Sequence, residues 1–251
     1  MLKENHKEHR SGCLICGADL VYSNAEERQI CSICTHGFHS NVHCINGHFV
    51  CDACHSLPAT AYIEAYCIST KGTDPIELAQ MLMKSLAIKM HGPEHHFLVP
   101  AVLLTSHYNH CNDDETKKAK VNGAKSRAEK ILGGFCGFYG NCGAAVGTGI
   151  FVSMVTNATP LSKDEWRLSN LMTAKSLFSI ANEGGPRCCK RNSFLAIVEA
   201  VEFGKEYLGF SLPIKGRIDC DFSHLNKECL YKGCKFFRDS NSKKDRAWVE
   251  S

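Results

Sequence analysis

From residue 74 onward, apolar positions recur at the three- and four-residue steps of helices. Asp74-Pro75 with Glu77 supplies an N-cap, a proline at the first helical position and an acid in the first turn. Ile76, Leu78, Met81, Leu82, Met83, Leu86 and Met90 then form one broad apolar face, and Gly92-Pro93 predicts its end. A second predicted helix runs from Pro93 through Phe97, Leu98, Val102, Leu103 and Leu104 to Asn109, with Pro100 bending or restarting it. Asp113 or Asp114 begins a third, polar and lysine-rich, whose charges read as a solvated face closed by Gly133-Gly134.

Ser162 with Glu165 reads as a capping box for a helix through Trp166, Leu171, Leu177 and Ile180. Asn182-Glu183-Gly184-Gly185 stops it, and Pro186 opens a last helix through Phe194, Ile197, Val198 and Val201. Period-two alternation is too short for an extensive sheet; short strands are expected only around residues 210–218. The expected fold is mainly α: a small N-terminal zinc-ribbon-like module over residues 1–56, then a helical domain over residues 57–251 with a cysteine-rich C-terminal tail.

Composition leaves room for that body. With 44% hydrophobic and 22% charged residues in 251, the chain can bury a core without disulfide staples. A net charge of +3 is too mild to point to nucleic acid. The opening MLKENHKEHRSGC lacks the apolar stretch of a secretory signal, and no apolar run reaches roughly the 18 residues of a membrane span. A cytoplasmic protein without membrane association is expected, and its oligomeric state is open.

Cysteine changes the picture most. Of 16 cysteines, seven lie between Cys13 and Cys54, seven between Cys136 and Cys234, and only Cys67 and Cys111 stand alone. In the first block Cys13/Cys16, Cys31/Cys34 and Cys51/Cys54 are CxxC pairs, and Cys44 and His48 precede the last. Paired thiolates at this spacing bind tetrahedral Zn²⁺, so these eight residues, with His39 or His43 as replacements for His48, predict two zinc ions that fold the module. Sequential pairing and a cross-braced, RING-like pairing both satisfy the spacing. A ubiquitin-type role does not follow, because the rest of the chain reads as an enzyme or cofactor domain.

Four further constellations could carry chemistry. In GGFCGFYGNCGAAVGTGIF, Gly140 and Gly143 permit close approach of a cofactor beside Cys136, and Cys142 falls at a helix start, where the dipole favours a thiolate. The small residues Gly143, Ala144, Gly147 and Gly149 read as a helix-packing face. In GGPRCCKR, Cys188 and Cys189 fall in a first turn beside Arg187, Lys190 and Arg191, a setting that lowers a thiol pKa or holds an anion. In HGPEHHFL, Glu94 and His95 could shuttle a proton or bind metal. His91 to His95 matches the HxxEH string of inverzincins, but Gly92-Pro93 interrupts the helix that motif needs. Cys220, His224, Cys229 and Cys234 are four soft ligands that could hold Zn²⁺ or an iron–sulfur cluster, or complete a site with the earlier cysteines.

The segment GGFCGFYGNCGAAVGTGIF resembles the central motif of the C-GCAxxG-C-C redox-protein family, with an extra Cys136 and with Cys142-Gly143-Ala144 in place of the family's Gly-Cys-Ala order. GHFVCDACH, HGPEHHFLVPA, GNCGAAVGTGIF and GGPRCCKR together resemble an uncharacterised prokaryotic domain family of anaerobes, including methanogens. The resemblance implies an anaerobic redox or metal context. Three functions therefore stand open: a metal- or thiol-dependent redox enzyme or redox partner, a metal or sulfur carrier working with a cofactor-assembly protein, and a zinc-stabilised adaptor without catalysis. The first two require that the helix starts bearing Cys142, Cys188-Cys189 and His95 meet around one cavity.

Overall fold

The computed structural model describes residues 13–15, 18–55 and 57–238. Strands β1 (Leu20–Ile30) and β2 (Gly37–Cys44) pair antiparallel, from Ile30 opposite Gly37 to Leu20 opposite Cys44, with a bulge between Tyr22 and Glu27. Helices follow: α1 (Asp52–His55), α2 (Ala59–Ser69), α3 (Pro75–Lys84), α4 (Glu94–His110), α5 (Asp114–Ala128), α6 (Phe135–Phe138), α7 (Gly143–Thr156), α8 (Asp164–Glu183) and α9 (Cys189–Tyr207). The tail, residues 208–238, is irregular apart from two 3₁₀ turns. The protein is mainly helical, and among the described residues no helix is long and apolar enough to cross a membrane.

Helix α4 is the hub. It packs against α2, α3, α5, α7 and α9, and its apolar side chains point in every direction because neighbours surround it. Pro100 neither ends nor restarts it. Proline has no N–H for the His96 carbonyl, and α7 packs at that point. A Cβ on Gly147 would lie 3.0 Å from the His96 oxygen and 2.8 Å from Pro100 Cδ, so only glycine permits this crossing. On the other side a Cβ on Gly149 would lie 3.0 Å from the Ser169 carbonyl of α8. The expected small-residue face is a packing face on both flanks.

Asp74 caps α3 as predicted, accepting from the N–H groups of Ile76 (2.8 Å) and Glu77 (3.1 Å). The helix stops at Lys84, however, short of Gly92-Pro93. Ser85 turns extended, and its hydroxyl accepts the Ala87 N–H, offering the backbone a local alternative to the helix. Glu94 begins α4 and leaves His91 outside it, so the HxxEH residues share no helix face.

The capping box does not form either. Ser162 accepts the Thr159 N–H at 3.0 Å, and α8 begins at Asp164 without a side-chain cap. Pro186 does not open α9. Arg191 donates to the carbonyls of Gly184 (2.6 Å) and Pro186 (2.9 Å), holding that segment as a loop, and the helix starts at Cys189. No strand forms at residues 210–218: the Lys215 N–H goes to the Asp74 carboxylate at 2.7 Å rather than to a neighbouring strand. The sheet lies instead in the N-terminal module.

The lysines of α5 do not form the expected solvated face: only Lys118 is exposed, Lys120 and Lys125 are half-buried against Met154 and Glu64, and Lys117 is fully buried and donates to Asn109 Oδ1 at 2.7 Å and the Thr70 carbonyl at 3.1 Å.

Candidate metal and thiol sites

The module gathers its donors in two groups. Cys31, Cys34, Cys51 and Cys54 form one, and Cys13, Cys44 and His48 the other; within each, all donor atoms lie within 4.8 Å of one another. Cys16 lies outside the described residues. The chain alternates between the groups, so the described donors interleave and sequential pairing is ruled out for them.

Local geometry explains the gathering. The Cys31 N–H bonds to the His36 carbonyl and the Thr35 N–H to the Cys31 carbonyl, both at 2.9 Å, closing a tight knuckle between the strands. The Ser32 N–H reaches the Phe49 carbonyl at 2.8 Å, which brings Cys51 to that knuckle. A second turn, closed by Cys44 N–H to His48 carbonyl at 2.7 Å, needs the left-handed Gly47 (φ +80). Backbone N–H groups also point at sulfur: Ile15 to Cys13 (3.4 Å), Asn46 to Cys44 (3.3 Å) and Cys51 to Cys31 (3.5 Å).

Burial raises the Cys31 pKa, but the N–H donors of Cys34, Cys51 and Ile33 outweigh it and bring the thiol down to about 7. Burial raises Cys34 and Cys54 instead, so the set as a whole is not primed as thiolates; its four thiols are compatible with a zinc site.

The second gathering surrounds the first turn of α9. Cys188 is the N-cap, and its sulfur accepts the Arg191 N–H at 3.5 Å. It faces a small, largely apolar cavity between α9 and the tail, together with Cys220, Cys229 and Cys234. His224 is exposed and does not line this cavity; Cys188 stands there with the three tail thiols.

On the other side of Arg191 lies a wide, open cleft walled by Cys136, Gly140, Cys142, Phe178, Arg187 and Asn192. Cys142 is the N-cap of α7, and Asn192 Nδ2 lies 3.6 Å from its sulfur. Gly143, at the start of α7, packs against the His96 ring. Cys189 sits between these features: burial pushes its thiol up to about 11, partly offset by the Gly92 N–H and Arg187. Burial raises Cys188 as well, so the depressed pKa expected for this pair is not found; desolvation outweighs the helix end.

The starts of α4, α7 and α9 therefore adjoin, through Gly92, Cys142 and Cys189, but the expected single cavity does not form: Cys142 lines the cleft, Cys188 the apolar cavity, and Cys189 neither. His95 does not share the opening. It is 1% exposed, lines neither cavity, binds the Gly92 carbonyl through Nδ1 at 3.1 Å, and leaves Nε2 enclosed without a hydrogen bond. Burial holds its pKa well below the usual value, so it is neutral. Glu94 folds back to accept the Lys89 N–H at 2.9 Å, bracing the loop before α4. Lys190 points away from the thiols towards the carbonyls of Met83 and Ile88.

Arg191, which walls both cavities, and Asn192, which touches Cys142, were not singled out by the sequence as site residues. The only sequence signal for Arg191 was the local run of positive charge, and for Asn192 there was none.

A family model described as a family of unknown function (DUF5714) matches residues 63–237, a span that takes in both thiol-lined cavities. No curated protein and no solved structure matches the chain.

Proposed function

The chain belongs to the DUF5714 family, whose description assigns no activity, and from its own geometry we propose a metal-binding thiol protein that performs redox or sulfur- and cofactor-handling chemistry in an anaerobic, cytoplasmic setting. Residues 1–56 form a zinc-folded module that holds its ions at the group of Cys31, Cys34, Cys51 and Cys54 and the group of Cys13, Cys44 and His48. Residues 57–251 form the working domain. One observation carries this reading: seven cysteines scattered from Cys136 to Cys234 come together around the first turn of α9, on the two sides of Arg191. A fold that needed cysteine only for packing would have no cause to collect seven there and to turn Cys136 and Cys142 towards an open cleft.

In that cleft Cys142 is the thiol placed to react. The N-termini of α7 and α9 and the exposed Arg187 favour an anionic group on a substrate or carried cofactor, while Phe178 and Leu177 accept its apolar part.

The test is differential alkylation of anaerobically purified protein before and after mild oxidation, mapped by mass spectrometry. Reversible oxidation is expected at Cys142 and Cys136, with the module cysteines protected by zinc. Cleft thiols that react no faster than the buried Cys67, with no reversible oxidation, would remove the redox reading.

A second reading, a zinc-stabilised adaptor, has its own support. The module exposes Tyr22, Ile30 and Ile45, an apolar surface suited to a protein partner. It is favoured if replacing all the cleft thiols leaves the protein's cellular role unchanged.

A further inference from the structure

We propose that Cys188, Cys220, Cys229 and Cys234 ligate an iron–sulfur cluster in the cavity between α9 and the C-terminal tail. The inference rests on reading the helical domain as a metal–thiol unit and identifies one of its centres. The four sulfurs share a wall with the apolar Met90, Phe194, Phe222, Leu230 and Phe236 and with the polar Arg191, Ser223, Asn226 and Glu228. The aromatic and aliphatic part of that wall suits a cluster by limiting solvent access to its sulfurs.

Backbone donors repeat the pattern of the module. The N–H of Phe222 points at Cys220 sulfur (3.4 Å) and that of Tyr231 at Cys229 sulfur (3.3 Å), each two residues on, as Ile15 does at Cys13 and Asn46 at Cys44. Arg191 N–H serves Cys188 in the same way at 3.5 Å. Such donors stabilise metal-bound thiolates and tune cluster potential.

The spacing separates this centre from zinc. A single Zn²⁺ with Zn–S of about 2.3 Å holds its sulfurs about 3.8 Å apart. Among the described residues, donor groups within 4.8 Å of one another occur in the module but not in this cavity. Several irons bridged by sulfide spread their thiolates more widely than one ion does.

Charge provides a further, independent argument. Arg191 is 4% exposed, and its hydrogen-bond partners are the oxygens of Gly184, Pro186 and Asn192, none of them a carboxylate. Glu228 lines the same cavity but its ion-pair partner is His91; a buried guanidinium without a paired anion is costly, and four cluster thiolates beside it supply that anion. The same Arg191 also walls the open cleft, so the cluster would lie one side chain from where a substrate enters.

The experiment is anaerobic reconstitution of the full chain with ferrous iron and sulfide, followed by iron, zinc and acid-labile sulfide analysis and absorption spectroscopy with dithionite. Iron and sulfide in equal amounts are expected, with a charge-transfer absorption bleached on reduction. Cys188→Ser and Cys229→Ser should each lose most of both, with unchanged far-UV circular dichroism and zinc content, while His224→Ala should keep them.

Zinc bound at these cysteines in place of iron overturns the proposal. So does loss of the cluster in His224→Ala with retention in Cys188→Ser. Absence of the cluster with reversible oxidation still present at Cys142 overturns this inference alone. Absence of both overturns the redox reading as well.

Discussion

Set the thiols of the N-terminal module aside and little apolar remains enclosed: among the described residues Leu14, Ile15 and Ile33 are buried, while Tyr22, Ile30, Phe38 and Ile45 face solvent. Set aside those around α9, and Phe194, Leu195, Ile197 and Phe203 still form a continuous core with α4 and α7. In the first region cysteines make up most of the core; in the second they line an edge of one. The difference teaches that clustered thiols have separate physical roles in one chain. Where hydrophobic burial is small, the donors supply the folding energy, and where it is extensive they are available for chemistry.

Removing metal tests this contrast most forcefully. Structural zinc contributes on the order of 10–16 kcal/mol to small metal-folded modules. Chelation, or Cys51→Ser, should therefore collapse amide-exchange protection throughout residues 18–55 while α4, α7 and α9 stay protected. Collapse of those helices as well would mean that the two regions fold as one.

The converse experiment is Gly147→Val, which forces a side chain onto Pro100 and the His96 carbonyl. It should cost about 1–3 kcal/mol, read as a lower melting temperature, with zinc content unchanged.

Asp74→Ala removes the cap of α3 and frees the Lys215 N–H. A loss of about 1–2 kcal/mol is expected, with faster exchange in the tail that carries Cys220.

The smallest effect appears only in alkali. Burial holds Cys67 protonated up to about 12, against 9.0 for an unhindered thiol. Its contribution to stability is thus complete below pH 9 and is lost as pH rises towards 12, because the unfolded chain ionises first. Denaturant midpoints of Cys67→Ala should fall less steeply over that window than those of the parent.

The helices were legible where a local device drew them. Asp74-Pro75 and Glu77 start α3, Asp113 caps α5, and Gly184 ends α8. They were misread where a side chain had a competing partner: Ser162 turned to Thr159, and Arg191 held Pro186 out of α9. The knuckle cysteines were legible as donors because CxxC is a local geometry. Their interleaving was not, since it depends on the Ser32–Phe49 contact that the spacing does not encode. The grouping of Cys188 with Cys220, Cys229 and Cys234 was equally out of reach. It arises because Gln80 and Asp74 tether the tail to α3, folding it across the start of α9.

By itself, then, the sequence determined a mainly helical chain with a cysteine-rich module in front and thiols at helix starts, because caps, turns and CxxC pairs act over a few residues. Only the tertiary structure decided which thiols meet, that His95 is sealed away, and that burial rather than a helix end governs Cys188 and Cys189. Those outcomes depend on desolvation and on contacts between distant segments, which are properties of the packed chain.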